Sequence, residues 1–242
     1  MMVKPHERIV LALDVDTREE ALELVHNLKD YVGVFKVGMQ LFNSTGPKIV
    51  KEINNLGGQV FVDLKLHDIP NTVAQAGKVL TRLNCYMFNV HAAGGREMMK
   101  KVAEEVAKEA DKLGINNPLT LAVTVLTSIS QQELETDMFI KDMKIEELVV
   151  KWALMAKESG IRGVVCSPQE IRAIRTACGP DFKIVTPGIR PHWAATNDQK
   201  RITTPKEAIE LSADYIVIGR PITAAADPIE AAKKITEELE AL

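Results

Sequence analysis

The chain contains few of the residues that mark secreted or metal-binding proteins. Only three cysteines occur among its 242 residues: Cys85, Cys166 and Cys178. An odd number at wide spacing fits neither a disulfide framework nor a set of metal ligands. We therefore expect reduced thiols in a cytoplasmic protein.

Long apolar runs and an excess of positive charge are also missing. No run approaches the roughly 18 residues that a membrane-spanning helix needs, and the first residues, MMVKPHERIV, lack the apolar stretch of a secretory leader. The 30 Lys and Arg against 33 Asp and Glu give a net charge of −3, which offers no basic surface for nucleic acid. We expect a protein that binds neither membranes nor nucleic acids.

Short apolar runs alternate with amphipathic helical patterns along the whole chain. Eight runs rich in Val, Ile and Leu lie at 8–15, 34–39, 59–66, 86–92, 119–126, 163–168, 183–189 and 215–219. Such nearly continuous runs predict strands covered on both faces, and hence a parallel sheet. Eight strand–helix units in a chain of this length predict a (β/α)8 barrel, one domain over residues 1–242. An open doubly wound sheet stays possible, because a count of strands does not prove closure.

Two helix ends are marked by their residues. The helix after the first strand should begin at Asp16 or Thr17, since either side chain can accept hydrogen bonds from free backbone N–H groups. The helix after the fourth strand should end at Gly114, because glycine readily adopts the left-handed backbone found there.

The segment FVDLKLHDIPNT, residues 61–72, carries three charged residues at the end of a strand: Asp63, Lys65 and Asp68. Asp63 and Lys65 are two apart and share one strand face, where burial of an ion pair costs several kcal/mol per ion. An isolated pair of this kind is usually a structural salt bridge at a sheet rim. A further lysine, Lys36, in the preceding apolar run instead favours a network of charges with perturbed pKa values.

Polar residues also follow most of the other predicted strands. They are Asp14, His91, Thr127, Ser128, Arg190 and Arg220. In a barrel or an open sheet, the carboxyl ends of parallel strands form the edge where chemistry takes place. We expect these side chains to surround one site.

The last two strands end in TPGIR (186–190) and IGRPI (218–222). Glycine lets backbone N–H groups approach a phosphate, and arginine adds a forked positive charge. These segments predict a phosphate site in the loops after strands 7 and 8. The polar segment at about 190–203, which contains Gln199, is long for a barrel loop and is expected to be a mobile lid that grips the phosphate.

These motifs in this order resemble the orotidine 5′-phosphate decarboxylases, bacterial type, over essentially the whole chain. The motifs are FKVG, DLKLHDIPNT, LTS, PGIR, DQKR and IGRPI. The resemblance implies a dimeric barrel that converts orotidine 5′-monophosphate to UMP and CO₂, the last step of UMP synthesis, with no metal and no organic cofactor.

The resemblance also implies roles for the charged residues. Lys36, Asp63, Lys65 and Asp68 would be the catalytic set, in which Lys65 protonates the C6 carbanion left by departing CO₂. Asp68, together with Thr72, would reach into the site of the partner subunit.

Further roles follow for substrate binding. Asp14 would hold the ribose hydroxyls together with Lys36, and Ser128 would bind the pyrimidine amide edge with Thr127. The phosphate would be bound by Gln199, Gly219 and Arg220, with Arg190 beside them.

Two other functions compete with this one. A relative with the same barrel and the same D-x-K-x-x-D is a Mg²⁺-dependent decarboxylase or aldolase of 3-keto-hexulose 6-phosphates. That group looks to have a glutamate where this chain has Lys36, and a lysine would repel a bound dication. A catalytically silent barrel that binds a phosphorylated ligand is the second alternative.

Overall fold

The computed structural model describes residues 4–194 and 203–240. Eight parallel strands close into a barrel in which neighbours along the chain pair and the last strand pairs with the first. The strands are β1 (Ile9–Ala12), β2 (Val34–Gly38), β3 (Val60–Leu66), β4 (Met87–His91), β5 (Leu119–Val123), β6 (Gly163–Val165), β7 (Lys183–Thr186) and β8 (Tyr215–Ile218). Closure confirms the predicted (β/α)8 barrel and excludes the open doubly wound sheet.

Helices surround the barrel. They are α1 (Arg18–Leu28), α2 (Met39–Thr45), α3 (Lys48–Asn55), α4 (Pro70–Arg82), α5 (Gly95–Leu113), α6 (Gln131–Thr136), α7 (Ile145–Glu158), α8 (Ile171–Cys178), α9 (Pro205–Glu210), α10 (Arg220–Thr223) and α11 (Pro228–Glu240), with short 3₁₀ helices at Pro5–Arg8, Ala92–Gly94 and Pro168–Glu170. Within these described residues, no helix is both long enough and apolar enough to span a bilayer.

Both predicted helix ends are confirmed. Thr17 precedes α1, and its hydroxyl accepts a hydrogen bond from the N–H of Glu20 while the Glu20 carboxylate accepts one from the N–H of Thr17. This reciprocal cap satisfies two donors that the first turn leaves free. Gly114 follows α5 with φ +64°, the left-handed conformation that glycine adopts without a steric penalty.

Alternate strand residues fill two separate apolar clusters. The smaller cluster lies inside the barrel and is formed by side chains from several strands: Val10, Val34, Phe61, Met87, Leu119, Leu121 and Val185. A larger cluster lies between the strands and the helices and includes Ile9 and Leu11, which flank Val10 in β1. Burial of each large apolar side chain stabilises the fold by about 1.5–3 kcal/mol. The inner cluster lies directly below the polar residues at the carboxyl ends of the strands.

The pairing of β3 with β4 is irregular at one place. Val62 lies opposite Phe88 and Leu66 lies opposite Val90, so the three residues 63–65 face the single residue Asn89. Lys65 takes up the extra length with φ +52°, a left-handed backbone that residues other than glycine seldom adopt. A bulge of this kind changes the direction of the side chains that it carries.

Candidate active site

A cavity of about 420 Å³ opens at the carboxyl end of the barrel. Phe61 and Val123 line it from the barrel interior, and polar residues from the strand ends and the following loops line its walls. Those that the sequence had singled out are Asp14, Lys36, Asp63, Lys65, Thr127, Ser128, Arg190, Gly219 and Arg220. Residues that lie up to 206 positions apart in the chain (Asp14 and Arg220) thus share one cavity.

Asp63 lies between two lysines on the cavity wall. Its Oδ1 atom is 2.7 Å from Nζ of Lys65, and its Oδ2 atom is 3.4 Å from Nζ of Lys36. The Lys36 ammonium is also 3.4 Å from Oδ1 of Asp14. The Asp63 side chain is 14% exposed and that of Lys36 12%, so the contact between these two is only weakly screened by solvent.

The protonation state of Asp63 follows from this arrangement. Burial acts to raise the pKa of its carboxyl group, but the charges of Lys36 and Lys65 and hydrogen bonds from Lys65 and Asn89 outweigh burial and lower the pKa below its ordinary value of 3.8. Asp63 is therefore ionised at neutral pH. Its carboxylate is a fixed negative charge beside two ammonium groups.

Asn89 on β4 completes the network and was missed by the sequence analysis. Its Nδ2 atom donates a hydrogen bond to Oδ1 of Asp63 at 2.7 Å, and its Oδ1 atom accepts one from the backbone N–H of Lys65 at 2.8 Å. The available signal was a single amide in the otherwise apolar run YMFNV. His91, at the end of the same strand, accepts a hydrogen bond from the N–H of Ala93 and caps the 3₁₀ helix that follows.

The opposite side of the cavity carries the glycines and arginines of the last two strands. Gly219 lies where an added Cβ would be 3.4 Å from the Cβ of Ala12, and Gly188 has φ +77°. Arg190 is buried, with 8% exposure, and its backbone N–H donates to the carbonyl of Thr203. This bond joins the two ends of the expected lid. Most of that loop, including Gln199, lies outside the described residues, so its mobility and the role of Gln199 stay predictions.

Asp68 and Thr72 are not part of this cavity in a single chain. Both are exposed, and the Asp68 carboxylate accepts a hydrogen bond from the N–H of the next residue, Ile69. Three of the four expected catalytic side chains therefore lie together, while the fourth faces outward at the same end of the barrel.

Comparison with known proteins agrees with this geometry. Residues 7–235 match the family model described as Orotidine 5'-phosphate decarboxylase / HUMPS family. The chain belongs to this family.

Individual family members match over nearly their full length. An orotidine 5'-phosphate decarboxylase of Syntrophomonas wolfei is 70% identical over 98% of this chain and 100% of its own. One of Heliobacterium modesticaldum is 52% identical over 96% of each. The crystal structure of the orotidine 5'-phosphate decarboxylase of Lactobacillus acidophilus superimposes with a TM-score of 0.85 at 39% identity, covering 96% of this chain and 98% of the other.

Next to the barrel cavity lies a second, smaller cavity of about 250 Å³ that contains a buried carboxyl group. Leu126 and Thr127 line both cavities. The carboxyl group is that of Glu170, which is 7% exposed and accepts a hydrogen bond from the N–H of Ser167 at 2.9 Å. Burial, together with the charge of Glu146, raises the pKa of Glu170 from 4.5 to about 7, although the Ser167 bond acts in the opposite direction.

Glu170→Gln is expected to remove a pH-dependent loss of stability. The unfolded chain ionises Glu170 near pH 4.5 and the folded chain near 7, so the folded state loses stability as the pH rises between these values. Relative to Glu170→Gln, the wild type should lose at most about 3 kcal/mol of unfolding free energy between pH 5 and pH 8, measured by urea unfolding. Glu147→Gln is the control and should change little, because it removes an exposed carboxylate of the same helix that plays no part in the Glu170 shift. An identical difference at both pH values would contradict the assignment.

Proposed function

We propose that this chain decarboxylates orotidine 5′-monophosphate to UMP and CO₂. The observation that carries the proposal is the Asp63 carboxylate fixed between the ammonium groups of Lys36 and Lys65 on the wall of the barrel cavity. The 70% identity to a relative of that name supports it. The chain would work in the cytoplasm, in keeping with three cysteines that are all buried and unpaired.

Lys65 supplies the chemistry at C6. When the bond between C6 and the carboxylate carbon breaks, CO₂ departs and the electron pair stays on C6. The ammonium group of Lys65 stabilises this carbanion because its charge is already in place and needs no reorganisation. It then gives a proton to C6, which forms UMP, and regains a proton from solvent.

Asp63 acts on both the lysine and the substrate. Its carboxylate accepts a hydrogen bond from the Lys65 ammonium at 2.7 Å and so holds the proton donor in place. It also faces the carboxylate of bound substrate and repels it, and this repulsion ends when CO₂ leaves. Lys36 balances the charge of Asp63 and, with Asp14, binds the ribose hydroxyls.

The remaining cavity residues bind the two ends of the nucleotide. Thr127 and Ser128 follow β5 and present hydroxyl groups to the pyrimidine amide edge. Arg190 and Arg220 bind the phosphate. Gly219 lies beside them, and because it has no side chain its backbone is open to the phosphate. Because the phosphate is remote from C6, its binding energy is available to order the site, in our proposal through closure of the 190–203 loop with Gln199.

The Mg²⁺-dependent reaction on keto-hexulose phosphates is disfavoured by Lys36. Its ammonium lies 3.4 Å from carboxylate oxygens of both Asp14 and Asp63, the type of oxygen that Mg²⁺ would need as a ligand. Among residues 4–194 and 203–240 no group of three or more His, Cys, Asp or Glu is arranged to hold a metal ion. Independence from metals stays a prediction for experiment.

Purified protein should consume orotidine 5′-monophosphate equally well with and without EDTA, followed by the loss of substrate absorbance. Lys65→Ala should lower kcat by about 10⁴-fold or more, because it removes both the proton donor and the electrostatic stabilisation. UMP affinity should persist, and Lys48→Ala, on the exposed face of α3, is the matched control.

Other results would point to the alternatives. Strict dependence on Mg²⁺ would favour the keto-hexulose phosphate reaction. Binding of UMP without any turnover by the wild type would favour a silent ligand-binding barrel. Substantial turnover by Lys65→Ala would refute its assignment as proton donor.

We further propose that two copies of the chain pair at the carboxyl end of the barrel, so that Asp68 and Thr72 of each reach the cavity of the other. Apolar side chains are exposed at this end, with Met39 53% and Ile69 67% exposed. A second copy would cover them, as expected for exposed apolar groups at an interface. A twofold axis would complete both sites at once.

Mixing two inactive variants tests this pairing. In a heterodimer of Lys65→Ala with Asp68→Ala, one site lacks both residues and the other has both intact. After subunit exchange of equal amounts, about a quarter of all sites should regain wild-type kcat. Mixtures of Lys65→Ala with Asp63→Ala should stay inactive, because these two residues serve the same site. Failure of the first mixture to regain activity, with exchange verified by mass spectrometry, would contradict the shared site.

A further inference from the structure

The bulge in β3 depends on a residue behind the cavity wall. Between the pairs Val62–Phe88 and Leu66–Val90, the single residue Asn89 faces residues 63–65. The backbone of one residue cannot provide regular hydrogen-bond partners for three residues on the neighbouring strand. The backbone N–H of Lys65 therefore needs another acceptor. The Asn89 side chain provides it at 2.8 Å.

The same amide also fixes the carboxylate. Its NH₂ group donates to Oδ1 of Asp63, the oxygen that also accepts from Nζ of Lys65. Asn89 is 1% exposed and is not among the residues that line the cavity. It therefore contacts the Asp63 carboxylate and the Lys65 backbone from behind the cavity wall.

We propose that Asn89 is a positioning residue, which holds the Lys65 backbone and the Asp63 carboxylate in register for the decarboxylation. The inference rests on the proposed function. One uncharged side chain must donate to Asp63 and accept from Lys65 at once, and an amide of this length does both. Leucine has a similar size and does neither, whereas an ionised aspartate accepts but cannot donate.

The charges around Asp63 determine what a substitution at Asn89 does. Lys36 faces Asp63 from β2 and Lys65 from β3, with Asp14 beyond Lys36 and the imidazole of His91 on the Lys65 side. A new carboxyl group at position 89 adds a negative charge in contact with Asp63. When protonated it donates to Asp63 as the amide does, and when ionised it repels Asp63.

Kinetics of Asn89→Leu give the first test. We expect kcat for orotidine 5′-monophosphate to fall about 100-fold, the scale of loss when a reacting group is misplaced by about 1 Å. UMP affinity should stay within about threefold, because the residues assigned to ribose, base and phosphate are unchanged. The control is Thr81→Val in α4, which removes a buried hydroxyl bonded to the Gly77 carbonyl and should lower the melting temperature without lowering kcat.

The pH dependence of Asn89→Asp gives a second test that a purely structural role would not produce. Its kcat relative to wild type should be closest to one at low pH and should decrease as the pH rises and the new carboxyl group ionises. This variant keeps the size of asparagine and decides the question if Asn89→Leu does not fold.

Each contrary outcome has a separate meaning. Wild-type kcat in Asn89→Leu, or a pH-independent ratio in Asn89→Asp, would overturn the positioning role alone. A parallel loss of kcat, UMP affinity and melting temperature would reduce Asn89 to a structural residue and overturn it too. Absence of turnover in the wild type would overturn the proposed function, and this inference with it.

Discussion

The contact of the Asp63 carboxylate with the two lysines is the interaction on which the site depends. Desolvation of a charged group in a cavity wall costs several kcal/mol per ion, and the Asp63 carboxylate is the fixed counter-ion that both lysines contact. Burial acts to raise the pKa of Asp63, and the charges of the two lysines, with the hydrogen bonds from Lys65 and Asn89, outweigh that effect. The three groups are therefore stable only together, and they need β2, β3 and β4 to be in register.

Strand pairing is regular at most positions of the barrel and shifts at one place, between β3 and β4. Regular pairing places Lys36 opposite Phe61 and Gly38 opposite Asp63. The Lys36 ammonium passes close to Gly38, where an added Cβ would be 3.1 Å from it, and so reaches Asp63. The left-handed backbone of Lys65 lets its side chain return to Asp63 from two residues away. Such a conformation costs free energy and persists only where the surroundings hold it. Here the Asn89 amide does so, which links a local strain to the chemistry proposed for the site.

The sequence predicts most of this arrangement because its signals are local. Apolar runs locate the eight strands, and polar residues after them indicate which loops meet, so Asp14, Lys36, Asp63 and Arg220 could be assigned to one cavity. Asn89 could not be assigned, because its role arises from a pairing shift between two strands that hydrophobic periodicity does not record. Asp68 and Thr72 lie outside the cavity of a single chain, and whether they serve a partner depends on an interface that one sequence does not describe.

The ionisation of Asp63 is the most direct test of this account. Carboxyl carbons of aspartate can be labelled with ¹³C and followed by NMR as the pH is lowered, with the Asp63 signal identified by its absence from Asp63→Asn. We predict that this signal titrates with a midpoint below the ordinary pKa of 3.8, since the charges of the neighbouring lysines and the hydrogen bonds from Lys65 and Asn89 outweigh burial. A titration midpoint above that value would show that burial outweighs the two ammonium groups, and the central interaction would not exist as described.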